Sequence, residues 1–248
     1  MTRDWDAATY HRVGTPQARW AERVLERLDL RGDETVLDAG CGSGRVTAML
    51  LERLPSGRVI AVDSSPSMVA AAREALPADR VDTMVCNLVD LELAEPVDAV
   101  FSNAVFHWIL DHDRLFERLH AALRSGGQLV AQCGGEGNIA TFKAAMEEVA
   151  AREPYADHIA GWTPWNYAAP GVTEARLRRA GFAQARCWRT DEPVEPEDPE
   201  SFVSTVCLGA HLDRLPDELR EPYTADVLEV AGEPLLLEYV RLNIDARA

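Results

Sequence analysis

Five short apolar runs, at residues 34–39, 58–63, 81–86, 97–102 and 127–133, alternate for the most part with segments of helical periodicity at 45–54, 65–76 and 112–124. This alternation constrains the chain more than any other property. A strand that hands over to a helix and then to another strand can rejoin its neighbour only in parallel. The helices must then cover both faces of the sheet. Ser65-Pro66 opens the second helix with a good N-cap and a proline at the first helical position, which needs no N–H. Residues 16–29 add an amphipathic helix in front, with Trp20, Val24, Leu25 and Leu28 at helical spacing.

After Cys133 the rhythm changes. Helices are expected at 138–152, 172–180, 200–211 and 216–231, with strands near 182–190 and 234–244. Residues 153–170 form an irregular stretch rich in aromatics and prolines, including Tyr155, Trp162, Trp165 and Tyr167. The last two strands can close the sheet as a hairpin split by a helical insertion. The expected architecture is α/β: a Rossmann-like, doubly wound, seven-stranded and mainly parallel sheet with helices on both faces, plus a helical cap. A ligand should bind beyond the carboxyl ends of the parallel strands.

Charge and cysteines narrow the class. A net charge of −16 over 248 residues lacks the basic footprint that nucleic acid or an anionic membrane would demand. No run approaches a membrane span, and the N-terminus has no apolar signal-peptide core, so a cytoplasmic location is expected. The five cysteines (Cys41, Cys86, Cys133, Cys187 and Cys207) are scattered without CxxC or histidine-spaced clusters. No metal site is expected, and most of these thiols should be small buried hydrophobes.

Four segments carry chemistry. In Val36-Leu37-Asp38-Ala39-Gly40-Cys41-Gly42-Ser43-Gly44, an apolar strand ends in an acid, three glycines alternate, and a helix begins near Arg45. The glycines permit a sharp turn and close approach of a ligand to the backbone. Arg45 breaks the dinucleotide pattern GxGxxG. A pyrophosphate avoids a carboxylate such as Asp38, whereas a cationic group seeks it. The nucleotide-like ligand with positive charge is S-adenosyl-L-methionine, whose product is S-adenosyl-L-homocysteine. Asp63, ending the second strand with Ser64 beside it, can accept both hydroxyls of a ribose, and Met68, one turn into the next helix, can pack on adenine. Asn87 offers an acceptor for the adenine amino group, next to the Leu88 backbone amide; Asp90 is its competitor. The fourth strand ends near Asn103. His107 and Trp108 then follow where a methyl acceptor should lie, the first able to orient or deprotonate it, the second to donate an indole N–H.

Together these segments resemble the class I S-adenosylmethionine-dependent methyltransferases over about residues 34–134. The run from Phe101 to Asp113, with Gly126-Gly127 and Gln132, most resembles the trans-aconitate methyltransferase-like subgroup. That subgroup is similar to malonyl-carrier-protein and juvenile hormone acid methyltransferases, which act on carboxylates. The resemblance implies that Asp38 lies near the methionine ammonium, Gly40, Gly42 and Gly44 lie against methionine and ribose, and Asp63 holds the ribose. It aligns Asn87 with an aspartate of the family. It further implies an N-terminal segment, residues 1–30, that closes over the site. That segment includes Tyr10, His11 and Gln17, with Gln17 and Trp108 resembling a carboxylate-holding pair. Residues 31–135 would then be the cofactor-binding core, and 136–248 the C-terminal half of the sheet with the cap.

The expected partner is a small-molecule methyl acceptor, a carboxylic acid foremost, and the protein is expected to be a monomer or homodimer. A carboxylate is ionised at neutral pH and needs no base. A hydroxyl, amine or carbon acid would instead require His107 as base. Two readings of other classes stand beside these: a cofactor-binding but non-catalytic regulatory subunit, and a nicotinamide-dependent oxidoreductase, which GxGxG and Asp38 oppose.

Overall fold

A computed structural model describes residues 15–248, with side chains described from Trp20 onward. Seven strands form one sheet: β1 Thr35–Ala39, β2 Arg58–Asp63, β3 Val81–Val85, β4 Val97–Asn103, β5 Leu123–Gly134, β6 Gln184–Asp191 and β7 Val240–Arg247. Their order is β3-β2-β1-β4-β5-β7-β6. The first five run parallel, whereas β7 is antiparallel to both β5 and β6. This is the expected mainly parallel sheet, closed by a split hairpin.

Because successive strand residues point to opposite faces, the strands feed two separate cores. Leu37, Val62, Val100 and Leu129 pack on one face with α4 His112–Ala122 and Leu177 of α7 Pro170–Arg179. Val36, Ala61, Phe101 and Val130 pack on the other, with α1 Thr15–Leu25, α2 Arg45–Glu52 and α3 Pro66–Ala75. Capping follows the local sequence. Ser65 accepts the Met68 N–H at the start of α3, and Asp111 accepts the Arg114 N–H at the start of α4 (3.0 Å).

A third cluster builds the cap. It joins α5 Ala140–Ala150, the single turn α6 Ala156–Ile159, residues around Trp165, and α10 Asp217–Ala231. The expected helix at 200–211 is broken into α8 Pro199–Phe202, a π turn Val203–Cys207 and α9 Gly209–Leu212. The expected strand at 234–244 begins only at Val240. Leu235 and Leu237 pack into the cap while Leu236 is exposed, and Leu237 bridges to Val194. Leu235 and Leu237 are thus buried by the cap rather than by pairing in the sheet. Among the described residues, no helix is long and apolar enough to cross a membrane.

Candidate active site

The carboxyl ends of four adjacent parallel strands lie side by side, since Asp38 of β1 is paired with Ala61 of β2 and with Phe101 of β4, and Asp63 of β2 with Val85 of β3. Asp38 is 2% exposed and its Oδ2 accepts the Thr47 hydroxyl of α2 at 2.7 Å. Burial lifts its carboxyl to about 7; the Thr47 bond opposes the rise and the charge of Asp63 adds to it. A buried carboxyl held this close to neutrality is stabilised in its ionised form by an arriving cation.

The three glycines are there for different reasons. Gly40 (φ +91°) has Val105 against it, so an added Cβ would lie 2.2 Å from a Val105 methyl. At Gly44 (φ +85°) an added Cβ would lie 2.8 Å from Leu76 and 3.2 Å from Ala72, at the end of α3. Gly42 (φ +53°) has nothing within 4 Å of where its Cβ would be, and this is the open face of the loop. Its N–H donates to Asp63 Oδ2 at 3.0 Å, while the Ser65 N–H donates to Oδ1 at 2.9 Å. These bonds fix the carboxylate plane, and each oxygen keeps a further lone pair for a ligand hydroxyl. Ser64 is half-buried alongside.

Farther out, Met68 is buried at 3% exposure. Asn87 is exposed, and its Oδ1 accepts the Val89 N–H at 3.3 Å, capping the short turn Leu88–Asp90. Leu88 itself is core, and Asp90, the competitor of Asn87, forms a surface ion pair with Arg114 at 3.4 Å. Asn103 ends β4, half-buried. A cation-seeking carboxyl, an open glycine and an oriented strand-end carboxylate suit an adenosyl ligand that bears an ammonium group. Among the described residues no cluster of three or more potential metal ligands occurs.

The acceptor side begins one residue beyond Asn103. Ala104 and Ile139 both have positive φ, 62° and 46°, and both line a cavity of about 40 Å³. A β-branched residue in this region is an outlier, and such strain concentrates at functional sites. The surroundings hold it in place: Ala104 N–H donates to Gln132 O at 2.7 Å, and Ile139 N–H to Glu238 O at 2.9 Å.

His107 and Trp108 lie in a single 3-10 turn, Phe106–Trp108, and both face this cavity. His107 is 7% exposed, and its Nδ1 accepts the Gly134 N–H at 3.2 Å. The neutral ring therefore carries its proton on Nε2. Burial, then Arg241 and His112, holds its pKa well below the usual histidine value. In this arrangement the Nδ1 lone pair is engaged and Nε2–H is the group the ring presents. Its backbone carbonyl accepts the Asn166 N–H at 2.9 Å, which ties the turn to the cap. Tyr167 stacks on the His107 ring at 5.8 Å and on Trp165 at 5.5 Å. Gly134 permits the approach of Tyr167, since a Cβ there would meet that ring at 2.7 Å. Behind Trp165, His211 is 4% exposed; its Nδ1 has no hydrogen bond among the described residues, and burial foremost lowers its pKa to about 4. Tyr10 and His11 lie outside the described residues. Gln17 lies in α1 with its side chain outside them.

Several cavity residues escaped the sequence: Arg241 at the start of β7, Tyr239 just before it, Cys207 and Val206 of the π turn, and Ile139. The available signal was Arg241-Leu242-Asn243-Ile244, polar residues interleaved in a strand that is buried almost throughout.

Residues 37–131 match a family described as a methyltransferase domain. The trans-aconitate 2-methyltransferase of Rhizobium rhizogenes is 31% identical over 254 residues, covering 98% of each chain. That of Variovorax paradoxus is 32% identical over 238 residues, covering 90% of this chain and 87% of its own. Among solved structures, an S-adenosylmethionine-dependent methyltransferase from Mesorhizobium loti superposes with a TM-score of 0.56 at 22% identity, over 93% of this chain and 98% of that one. A sequence likeness that runs nearly end to end extends well past the cofactor motifs and into the cap. On that ground the chain belongs to the trans-aconitate methyltransferase-like subgroup of class I S-adenosylmethionine-dependent methyltransferases, and it is an enzyme of that class.

Proposed function

We propose that the enzyme methylates a carboxylate oxygen of a small organic acid. The observation that carries this reading is the bond from Gly134 N–H to His107 Nδ1. It leaves Nε2–H as the group His107 can offer, so the ring donates a hydrogen bond and takes no proton. The other titratable groups on the cavity, the Tyr167 and Tyr239 phenols and the Cys207 thiol, are pushed upward by burial and are poor bases at neutral pH. An acceptor that reacts here must arrive already nucleophilic, and a carboxylate does. The relatives named for trans-aconitate point the same way.

Asp38 would hold the ammonium of S-adenosylmethionine, Asp63 its ribose hydroxyls, and the open face of Gly42 would let the ligand approach the backbone. When bound, this cofactor supplies a methyl group on a sulfonium, a good leaving group that departs as a neutral thioether. The protein then has three tasks: to hold the carboxylate, to aim one oxygen at the donor side, and to exclude water. Positioning of this kind contributes roughly 7–11 kcal/mol in favourable cases. His107 Nε2–H would fix the acceptor, and Val105, which touches Gly40 and lies between Ala104 and His107, joins the two halves of the site.

The test is mass-spectrometric screening of a carboxylic acid panel, followed by mild alkali. A methyl ester returns the parent acid, whereas an ether, a methylamine or a C-methyl product survives. In parallel, His107→Gln retains an N–H donor and, at saturating cofactor, should keep substantial turnover that varies little between pH 6 and 8. An inactive His107→Gln combined with alkali-stable products would overturn the carboxylate reading.

A further inference from the structure

We infer that Arg241 is the specificity-determining residue that grips the acceptor's carboxylate, and that the acid it selects has a single carboxylate on a flat, apolar body. This deepens the carboxylate reading above and rests on it. Arg241 is 2% exposed, yet it lines the cavity at the end of β4. Its place is set by the sheet: it is the antiparallel partner of Gly134, the same residue whose N–H binds His107. The guanidinium and the imidazole are therefore brought together across one strand pair.

The guanidinium is also oriented. Its Nε donates to Gln132 Oε1 at 3.3 Å, Gln132 Nε2 donates to Asn243 Oδ1 at 2.8 Å, and Asn243 Nδ2 donates to Thr190 Oγ1 at 3.1 Å. Its plane lies over the Trp20 ring, 4.4 Å from the centroid. With Nε engaged, the fork is held in one orientation, and a planar fork of N–H donors matches a carboxylate in two-point contact.

The walls speak to the rest of the substrate. Among the described residues that line the cavity, Arg241 alone carries a full charge, and Trp108, Trp165, Tyr167 and Tyr239 supply aromatic surface. Trp165 and Tyr167 are stacked with only 14° between their planes, a flat wall suited to a flat ligand. Among the described lining residues an additional carboxylate would meet aromatic rings and neutral polar groups in place of a second cation, and it would be opposed by the net charge of −16.

The experiment uses the full chain and calorimetry, with S-adenosylhomocysteine bound and no turnover. Benzoate, trans-cinnamate and sorbate are each compared with the corresponding uncharged amide, and with trans-aconitate. The expected result is at least one acid bound about ten- to a hundredfold more tightly than its amide, the range for a hydrogen bond to a charged group. Arg241→Gln should abolish this preference while leaving S-adenosylhomocysteine affinity unchanged. Gln132→Leu, which frees the fork, should raise KM for the acid with little change in kcat. Equal binding of every acid and its amide to the wild type, or a full preference in Arg241→Gln, overturns the role of Arg241. The wild-type comparison decides alone if Arg241→Gln does not fold. Trans-aconitate favoured tenfold over every monoacid overturns the single-carboxylate assignment and leaves carboxylate methylation standing. Methylation of alcohols or amines with no acid turned over removes the underlying reading itself.

Discussion

Asp38 offers the sharpest test of the cofactor side, because its burial makes a functional cation visible as a proton equilibrium. Its carboxyl is held at about 7 in the ligand-free protein, against an ordinary 3.8. An ammonium placed beside it selects the ionised form, so binding should release a proton, roughly half an equivalent at pH 7. Between pH 5.5 and 7 the Kd for S-adenosylhomocysteine should fall by roughly fifteenfold. Affinity should weaken again at alkaline pH as the ligand's own α-amino group loses its charge. Asp38→Asn keeps an acceptor for Thr47 but not the charge. It should cost about 1.5–3 kcal/mol of binding and flatten the acidic limb. The sign on stability is opposite. Because the folded pKa is raised, stability present below pH 4 is lost as pH rises through 7, by about 4 kcal/mol in total. The ligand-free Asp38→Asn protein should therefore be more stable than wild type at neutral pH. Calorimetry in buffers of different ionisation heat, with urea unfolding alongside, measures all of this. A flat wild-type profile between pH 5.5 and 7, or variant affinity within twofold of wild type, would refute the reasoning.

Two further outcomes follow from packing. Gly40→Ala forces a methyl into Val105 at positive φ and should cost about 2–5 kcal/mol of stability from strain and overpacking together. Gly42→Ala meets open space and should cost only about 1–2 kcal/mol of stability, yet impair S-adenosylhomocysteine binding markedly; equal binding by the two variants in folded form would show that Gly42 does not face the ligand. For His211, whose pKa is depressed to about 4, the unfolded chain takes up the proton first, so stability should fall as pH drops from about 6.5 to 4. The loss is about 3 kcal/mol, and His211→Phe should remove that limb of the stability curve; an unchanged curve would disprove it.

The parallel half of the sheet was legible because each strand announces itself: an apolar run, a turn residue, a capped helix. Asp38, Asp63 and the glycines could be ordered in space from chain position alone, since parallel strands place their carboxyl ends together. The acceptor side was not legible, because it depends on contacts between residues far apart. Gly134 meets Arg241 across β5 and β7, and Tyr167 meets His107 across the cap. No local pattern encodes such pairs. The expected strand start at 234 failed for a related reason, since Leu235 and Leu237 are buried in the cap cluster and not in the sheet. His107 was found by position, but the backbone bond that engages its Nδ1 is something no sequence displays.

The separate packing of the cap has a consequence for how such enzymes diversify. The donor side stands on the two sheet cores, while most of the aromatic walls belong to the third cluster. Substitutions that reshape the third cluster can therefore change what is accepted without disturbing what donates. A lineage could explore new acceptors by redrawing one compartment, with Val105 and the Gly134–Arg241 pair as the fixed hinge between inherited chemistry and negotiable taste.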